Sequence, residues 1–286
     1  MKIAILGSTG MAGHMVAAYM EQQGFQVYRI SRSEENSERS CRIDVTELDR
    51  LTEYIAKINA DVIINCVGLL QKTCEQRPDL AILVNSYLPH FLENYYQNTH
   101  VKIVHLSTDC VFSGLRGDYL ENDLQDGRTL YDRTKALGEL NNSKDLTFRM
   151  SIIGPDPDPS GTGLFNWFMQ QSGTIYGYSK FIWNGITTLE LAQAISQALE
   201  EGLSGLYQLV PDESISKYHL LLLFKEIFHK SDVDILENES FTGNKSLCNT
   251  RKDFSYHVND YKTQILNLRE WIYANSHLYP AFYKSN

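Results

Sequence analysis

The chain has 286 residues, with 26 Lys plus Arg against 35 Asp plus Glu and a formal net charge of −9. Hydrophobic residues at 43% and charged residues at 21% are globular values, which exclude wholesale disorder and collagen-like structure and leave room for one large or two small domains. The acidic balance makes nucleic acid a poor partner, because phosphate backbones are bound by basic patches, while a local basic pocket for a phosphorylated small molecule stays allowed. The first element, Lys2–Leu6, is a short apolar strand. It is too short for a signal peptide and runs straight into a glycine-rich turn, so it reads as the start of a cytoplasmic protein. No apolar run approaches the roughly 20 residues of a membrane span.

Gly7-Ser8-Thr9-Gly10-Met11-Ala12-Gly13 joins that strand to a helix predicted over Ala12–Gln23. The first glycine suits a tight turn. The second lets backbone N–H groups approach a pyrophosphate at the helix N-terminus, and the third allows close helix–strand packing. The strand-before, helix-after context is what such a motif requires. Its G-x-x-G-x-x-G spacing is the form used by short-chain dehydrogenase/reductases. A second strand, Gln26–Ile30, leads into Ser31-Arg32-Ser33, with no acid before Glu34. An acid there would hold a ribose 2′-hydroxyl. Ser31 and Arg32 instead suit a 2′-phosphate, which favours NADPH over NADH. The third strand, Arg42–Asp44, ends on Asp44-Val45, where Asp44 either accepts from an adenine amine or caps the next helix.

Further along, a helix is predicted over Glu47–Asn59, a strand over Asp61–Cys66, a helix over Pro78–Gln97 and a strand over Lys102–Ser107. Strands that read as continuous apolar runs are buried on both faces. Their alternation with helices predicts an α/β fold with a doubly wound parallel sheet, its ligand crevice at the strand C-termini. Ser107-Thr108-Asp109 falls at that edge. In the helix predicted over Thr129–Asn141, Tyr131 and Lys135 stand four residues apart and share a face. A lysine there can favour a phenolate, the phenol can exchange a proton with a carbonyl or alcohol, and Thr108 can orient that oxygen. The strand Leu146–Met150 closes this half.

After Arg149 the composition changes, and Gly154–Gly161 carries three of the seven prolines. Helices are predicted over Leu164–Gln171, Leu189–Glu200 and Lys217–His229, with a polar aromatic stretch at Tyr176–Trp183 and a strand near Leu206–Val210. This divides the chain into residues 1–151, a dinucleotide-binding domain, and 152–286, a smaller substrate lobe. Residues 186–202 are expected to return to the first domain. The five cysteines, Cys41, Cys66, Cys74, Cys110 and Cys248, are scattered, without a C-x-x-C pair, and read as reduced thiols. No His spacing suggests a metal. The acidic Asp118–Asp126 stretch reads as a solvated loop and the Tyr-rich Tyr273–Tyr283 tail as lobe packing.

Taken together, these residues resemble the extended short-chain dehydrogenase/reductases, and among them the dTDP-4-dehydrorhamnose reductase family. The matching segments are Gly7/Gly10/Gly13, Asp44-Val45, Asp61–Asn65, Asn85, Ser107–Gly114, Tyr131–Lys135 with Gly138-Glu139, and Phe148–Ser151. The resemblance implies NAD(P)H-dependent reduction of a nucleotide-linked 6-deoxy-4-ketosugar, in the synthesis of cell-surface polysaccharide precursors, by a monomer or homodimer. It implies that Tyr131 is the proton donor, that Lys135 lowers its pKa and holds the nicotinamide ribose, and that Thr108 positions the substrate. It further implies that Thr9, Gly10-Met11-Ala12, Cys66-Val67-Gly68, Asn85 and Leu106 line the cofactor, and that Leu69, Asp109, Trp183 and Asn184 meet the sugar nucleotide.

Three departures from the family pattern fall where the sugar nucleotide would bind: Ile152 in place of a Trp, Gly68-Leu69-Leu70-Gln71 in place of a His/Thr-bearing loop, and the segment Phe181–Thr188. Trp183 could stack on base or sugar or anchor the lobe interface as a core residue. Two rival activities share the fold. One is a sugar-nucleotide epimerase or dehydratase, against which Cys110 stands where a dehydratase needs a carboxylic acid. The other is a non-catalytic NADP-binding regulatory subunit, such as that of methionine adenosyltransferase, against which Thr108, Tyr131 and Lys135 are all present.

Overall fold

The computed structural model describes residues 1–158, 161 and 163–279. Pro159 and Ser160 of the proline-rich stretch, and Tyr283 of the tyrosine-rich tail, lie outside the described residues. The first half alternates strands β1 (Lys2–Leu6), β2 (Gln26–Ser31), β3 (Ser40–Arg42), β4 (Val62–Asn65), β5 (Lys102–Thr108) and β6 (Leu146–Met150) with helices. The helices are α1 (Met11–Gln22), α2 (Leu48–Ile58), α3 (Gln71–Gln76), α4 (Pro78–Ala81), α5 (Leu88–Tyr96) and α6 (Leu130–Leu137). The second half holds β7 (Ile152–Ile153), α7 (Leu164–Met169), β8 (Gly173–Tyr178), β9 (Phe181–Trp183), β10 (Ile186–Thr187) and α8 (Thr188–Glu201). Then follow β11 (Gly205–Gln208), β12 (Ile215–Ser216), α9 (Lys217–Ile227), β13 (Val233–Asn238), β14 (Gly243–Asn244) and α10 (Tyr261–Ala274).

Seven strands form one parallel sheet in the order β11-β6-β5-β4-β1-β2-β3. The order reverses beside β1, which opens the crevice at the strand C-termini. Side chains alternate across the sheet. Ile3, Ile5, Val62 and Ile64 pack with Met15 and Val16 of α1 and Ile195 of α8. Ala4, Leu6 and Ile63 pack on the other face with Leu51 and Ile55 of α2 and Leu88 and Leu92 of α5. Both faces are covered, so the central strands β1, β4, β5 and β6 are almost wholly buried, while the edge strand β3 is Ser-Cys-Arg with no buried residue. This is the Rossmann-like, doubly wound architecture expected, with smaller sheets from the second half (β7 with β10, β8 with β13, β9 with β12 and β14). Among the described residues no helix is long and apolar enough to cross a membrane.

Two features differ from the sequence reading. The single helix expected over Pro78–Gln97 is three pieces, with a π-helical turn at Ile82–Tyr87 between α4 and α5. Pro89 lacks the N–H that would meet the Asn85 carbonyl, so the ladder widens there. Gly138 packs against that carbonyl, where an added Cβ would lie 1.9 Å from the oxygen. The part of the second half that rejoins the sheet also runs past residue 202: α8 packs on α1 and β11 extends the sheet beside β6.

Candidate active site

The glycine turn is built as a cradle. Gly7 sits at φ +76, a conformation that costs glycine little, and a Cβ on Gly13 would fall 2.1 Å from the Gly7 carbonyl oxygen. The N-cap of α1 is Gly10, and among the described residues no side chain closes the helix end. Its first N–H groups and the positive end of its dipole are therefore available to an anion. A groove of about 230 Å³ runs along this turn, lined by Gly7, Thr9, Gly10, Ser31, Arg32, Asp44, Val45, Cys66, Val67 and Gly68. Thr9 donates to the Ser31 hydroxyl at 3.0 Å, and Arg32 is exposed. Asp44 Oδ1 accepts from the Thr46 N–H and hydroxyl at 3.0 and 2.8 Å, and the residue before α2 is Glu47, so Asp44 is not that helix's N-cap. Glu34 folds back to accept from Ser8 at 2.8 Å.

Several residues expected at the cofactor do other work. Asn85, fully buried, spends its amide on the loop: Leu69 N–H donates to Oδ1 at 2.8 Å, and Nδ2 donates to Leu69 O at 3.1 Å and Thr134 Oγ1 at 3.2 Å. It is a clamp on the 66–70 loop and does not line the groove. Ala12 and Leu106 point into the core, and the Met11 sulfur faces Gly163. Leu106 matters through its carbonyl, which accepts from Lys135 Nζ at 2.6 Å.

The chemistry-bearing residues converge at the ends of β5 and α6. A capping box between Thr129 and Asp132 starts α6 and so fixes its first turn. Tyr131 is half-buried there, and Lys135, one turn on, is 4% exposed. Thr108 Oγ1 donates to Asp109 Oδ1 at 3.1 Å and accepts from Cys110 N–H at 3.1 Å. Burial, then Cys110, push the Tyr131 phenol well above its ordinary range, opposed by the nearby Thr108 hydroxyl. The leading influences on that phenol do not include Lys135. The expected lowering of the tyrosine by the lysine is thus outweighed by desolvation. Burial also pulls Lys135 down to about 8, against the Glu139 carboxylate. Ser107 donates to Glu139 Oε1 at 2.5 Å, and Arg149 pairs with both Glu139 oxygens at 2.8 and 2.6 Å.

Tyr131 lines a cavity of about 460 Å³, together with Leu70, Gln71, Cys110, Arg128 and Lys245. Of the four residues expected to meet the sugar nucleotide, none lines it. Leu69 lines the glycine-turn groove instead. Asn184 is buried and holds Leu247 through paired bonds of 2.7 and 2.9 Å. Trp183, 2% exposed, packs on Tyr261 with ring centroids 6.0 Å apart, leaving no open face for stacking. Asp109 lies behind the wall, within electrostatic reach of Lys217 and Lys245. The sequence reading missed those two lysines. Lys217 Nζ rests 3.9 Å from the Trp183 ring centroid, and burial brings it down to about 8. Burial lowers Lys245 as well, but Cys110 and Asp109 outweigh it and its pKa is raised. Neither lysine sits in a motif, so only the folding of the second half over the sheet edge brings them here.

A probable low-salt glycan biosynthesis reductase, Agl14, of Haloferax volcanii is 31% identical over 140 residues, 47% of this chain and 46% of that protein. A dTDP-4-dehydrorhamnose reductase of Mycolicibacterium smegmatis is 30% identical over 141 residues, 48% of this chain and 40% of that protein. The chain thus spans about half the length of these curated relatives or less. The crystal structure of dTDP-4-dehydrorhamnose reductase from Bacillus anthracis in complex with NADP shares the fold, with a TM-score of 0.78 at 18% identity over 94% of this chain and 99% of that one. The family profile of the RmlD substrate binding domain matches residues 1–153, the stretch that contributes the glycine turn, Thr108, Tyr131 and Lys135. That is more than half of the chain, and the chain belongs to this family.

Proposed function

We propose that the protein reduces the 4-keto group of a nucleotide-linked 6-deoxysugar with NADPH, in the making of polysaccharide precursors. One arrangement carries the reading: Tyr131 lines a cavity that holds basic side chains, Lys135 one turn on lies close to Gly68 of the glycine-cradled groove, and the Thr108 hydroxyl acts on the Tyr131 phenol. The groove fits a dinucleotide. Its Gly7–Gly13 approach leaves no room for a Cβ, and among the described residues no side chain caps the α1 N-terminus. Gly10 and its neighbours would hold the pyrophosphate, Asp44 the adenine, Ser31 and Arg32 the 2′-phosphate, and Lys135 the nicotinamide ribose. The bound cofactor supplies hydride. Tyr131 delivers the proton to the carbonyl oxygen, and Thr108 holds that oxygen in place. Lys245 and Arg128, with Lys217 nearby, suit the diphosphate of the substrate in a chain that is otherwise acidic.

The reading is tested by single-turnover hydride transfer to a 4-ketosugar nucleotide. Tyr131→Phe removes only the hydroxyl and is expected to cut the rate by roughly 10²–10⁴ with NADPH affinity unchanged. Transfer at the wild-type rate would show that the proton comes from elsewhere.

A further inference from the structure

Behind Lys135, strands β4 and β5 bury two polar side chains completely, Asn65 and His105. Asn65 Oδ1 accepts the Val67 N–H at 3.2 Å, which settles the orientation of the amide. Its Nδ2 then faces His105 Nδ1 at 3.2 Å and donates to it. An imidazole nitrogen that accepts carries no proton, so the neutral ring bears its hydrogen on Nε2. Full burial, and then the Lys135 cation, hold His105 neutral. Nε2 lies 3.5 Å from Lys135 Nζ, and an ammonium has only donors. The two groups therefore meet donor to donor.

This contact has a consequence for where Lys135 aims. One ammonium proton goes to Leu106 O at 2.6 Å. An imidazole of the opposite tautomer would accept a second and turn it toward the core. Glu139, the carboxylate acting on Lys135, has both oxygens engaged by Arg149. The thiols of Cys66 and Cys74 also face Lys135; burial pushes both up, Cys66 to about 12, so neither is an anion near neutral pH. The open direction is Gly68, where an added Cβ would lie 4.0 Å from Nζ, and Gly68 lines the dinucleotide groove.

We propose that Asn65 and His105 are positioning residues: Asn65 fixes the His105 tautomer, and the Nε2–H of His105 denies Lys135 an inward acceptor. The two remaining ammonium protons are thereby presented to the groove. The proposal rests on the reading of Lys135 as the group that holds the nicotinamide ribose.

Two-bond ¹⁵N–¹H spectra of the histidines, in protein without added cofactor, test the first step. The expected result is His105 neutral at pH 7 and protonated on Nε2. A ring protonated on Nδ1, or on both nitrogens, overturns the proposal. Asn65→Asp keeps an oxygen for the Val67 N–H and offers the other to His105 Nδ1, so the tautomer should invert. NADPH should then bind roughly ten-fold more weakly, the worth of one hydrogen bond, with KM for the sugar nucleotide unmoved. His105→Leu creates no inward acceptor and should leave the NADPH Kd within about three-fold of wild type. An inverted tautomer with unchanged NADPH binding also overturns the proposal. The spectra need no turnover, so a failure of the reductase reading, seen as absent NADPH oxidation, leaves the tautomer result standing.

Discussion

Single residues set the chemistry here, and Lys135 shows the cost most clearly. Its pKa falls from the ordinary 10.5 to about 8 on burial. The unfolded chain therefore holds this proton where the folded one has lost it, between about pH 8 and 10.5, and in that window this group makes stability rise with pH. Below about 8 the buried charge is a standing penalty, on the order of 3 kcal/mol before its bond to Leu106 O is counted. Lys135→Met should accordingly raise Tm at pH 7, by a few degrees once that bond is subtracted, while abolishing turnover. A thermal scan at pH 7 in which the variant melts below wild type would contradict this. NADPH affinity should also drop as pH rises through about 8 and Lys135 loses its charge. Arg32 makes a separate prediction. It is exposed at the groove and faces no acid in Ser31-Arg32-Ser33. Arg32→Ala should weaken NADPH by roughly 10- to 150-fold, the range for a charge-assisted hydrogen bond, and leave NADH nearly unchanged, as read by titration of each. Equal losses would place the 2′-phosphate elsewhere.

At the scale of elements, the glycine turn was legible because its requirements are local. Gly7 needs positive φ and Gly13 needs the absence of a Cβ, and both demands show in sequence as glycines at fixed spacing. Gly13→Ala must push α1 off β1, since the new methyl would meet backbone on both Gly7 and Ser8. We expect several kcal/mol of destabilisation and loss of dinucleotide binding, measurable by denaturant titration and fluorescence quenching. Gly10→Ala is the contrast. The nearest atom to its added Cβ is 3.5 Å away, an ordinary contact, so stability should hold. The break in the helix over Pro78–Gln97 was less legible. Pro89 leaves the Asn85 carbonyl without a helical donor, and the π turn is accommodated by Gly138 and by the contacts Asn85 makes with Leu69 and Thr134.

For the whole molecule, the junction of the two halves runs through Arg149. Its guanidinium, 1% exposed, pairs with Glu139, donates to Glu121 O at 3.2 Å and reaches Gln208 of β11, which in turn holds Tyr119 O and Cys248 O at 2.8 Å each. Arg149→Met leaves a buried carboxylate without its partner and should cost about 3–5 kcal/mol. The double variant Glu139→Met with Arg149→Met should lose less than Arg149→Met alone, because no charge is then stranded. Urea unfolding of all three proteins reads the difference, and a double variant less stable than the single one would refute it.

Short-range patterns, then, carried the sheet, the dinucleotide turn and the Tyr131–Lys135 spacing. Each depends on strand burial, backbone conformation or helix pitch within a few residues. The partners of those residues depended on distance in space. Trp183 and Asn184 looked available to a ligand and are consumed by packing against Tyr261 and Leu247. Lys217 and Lys245, unremarkable in sequence, arrive beside Asp109 and Cys110 because the second half folds over the sheet edge. Likewise, the phenol of Tyr131 was read from its lysine neighbour but is governed by burial, a property that no stretch of sequence states and only the packed chain decides.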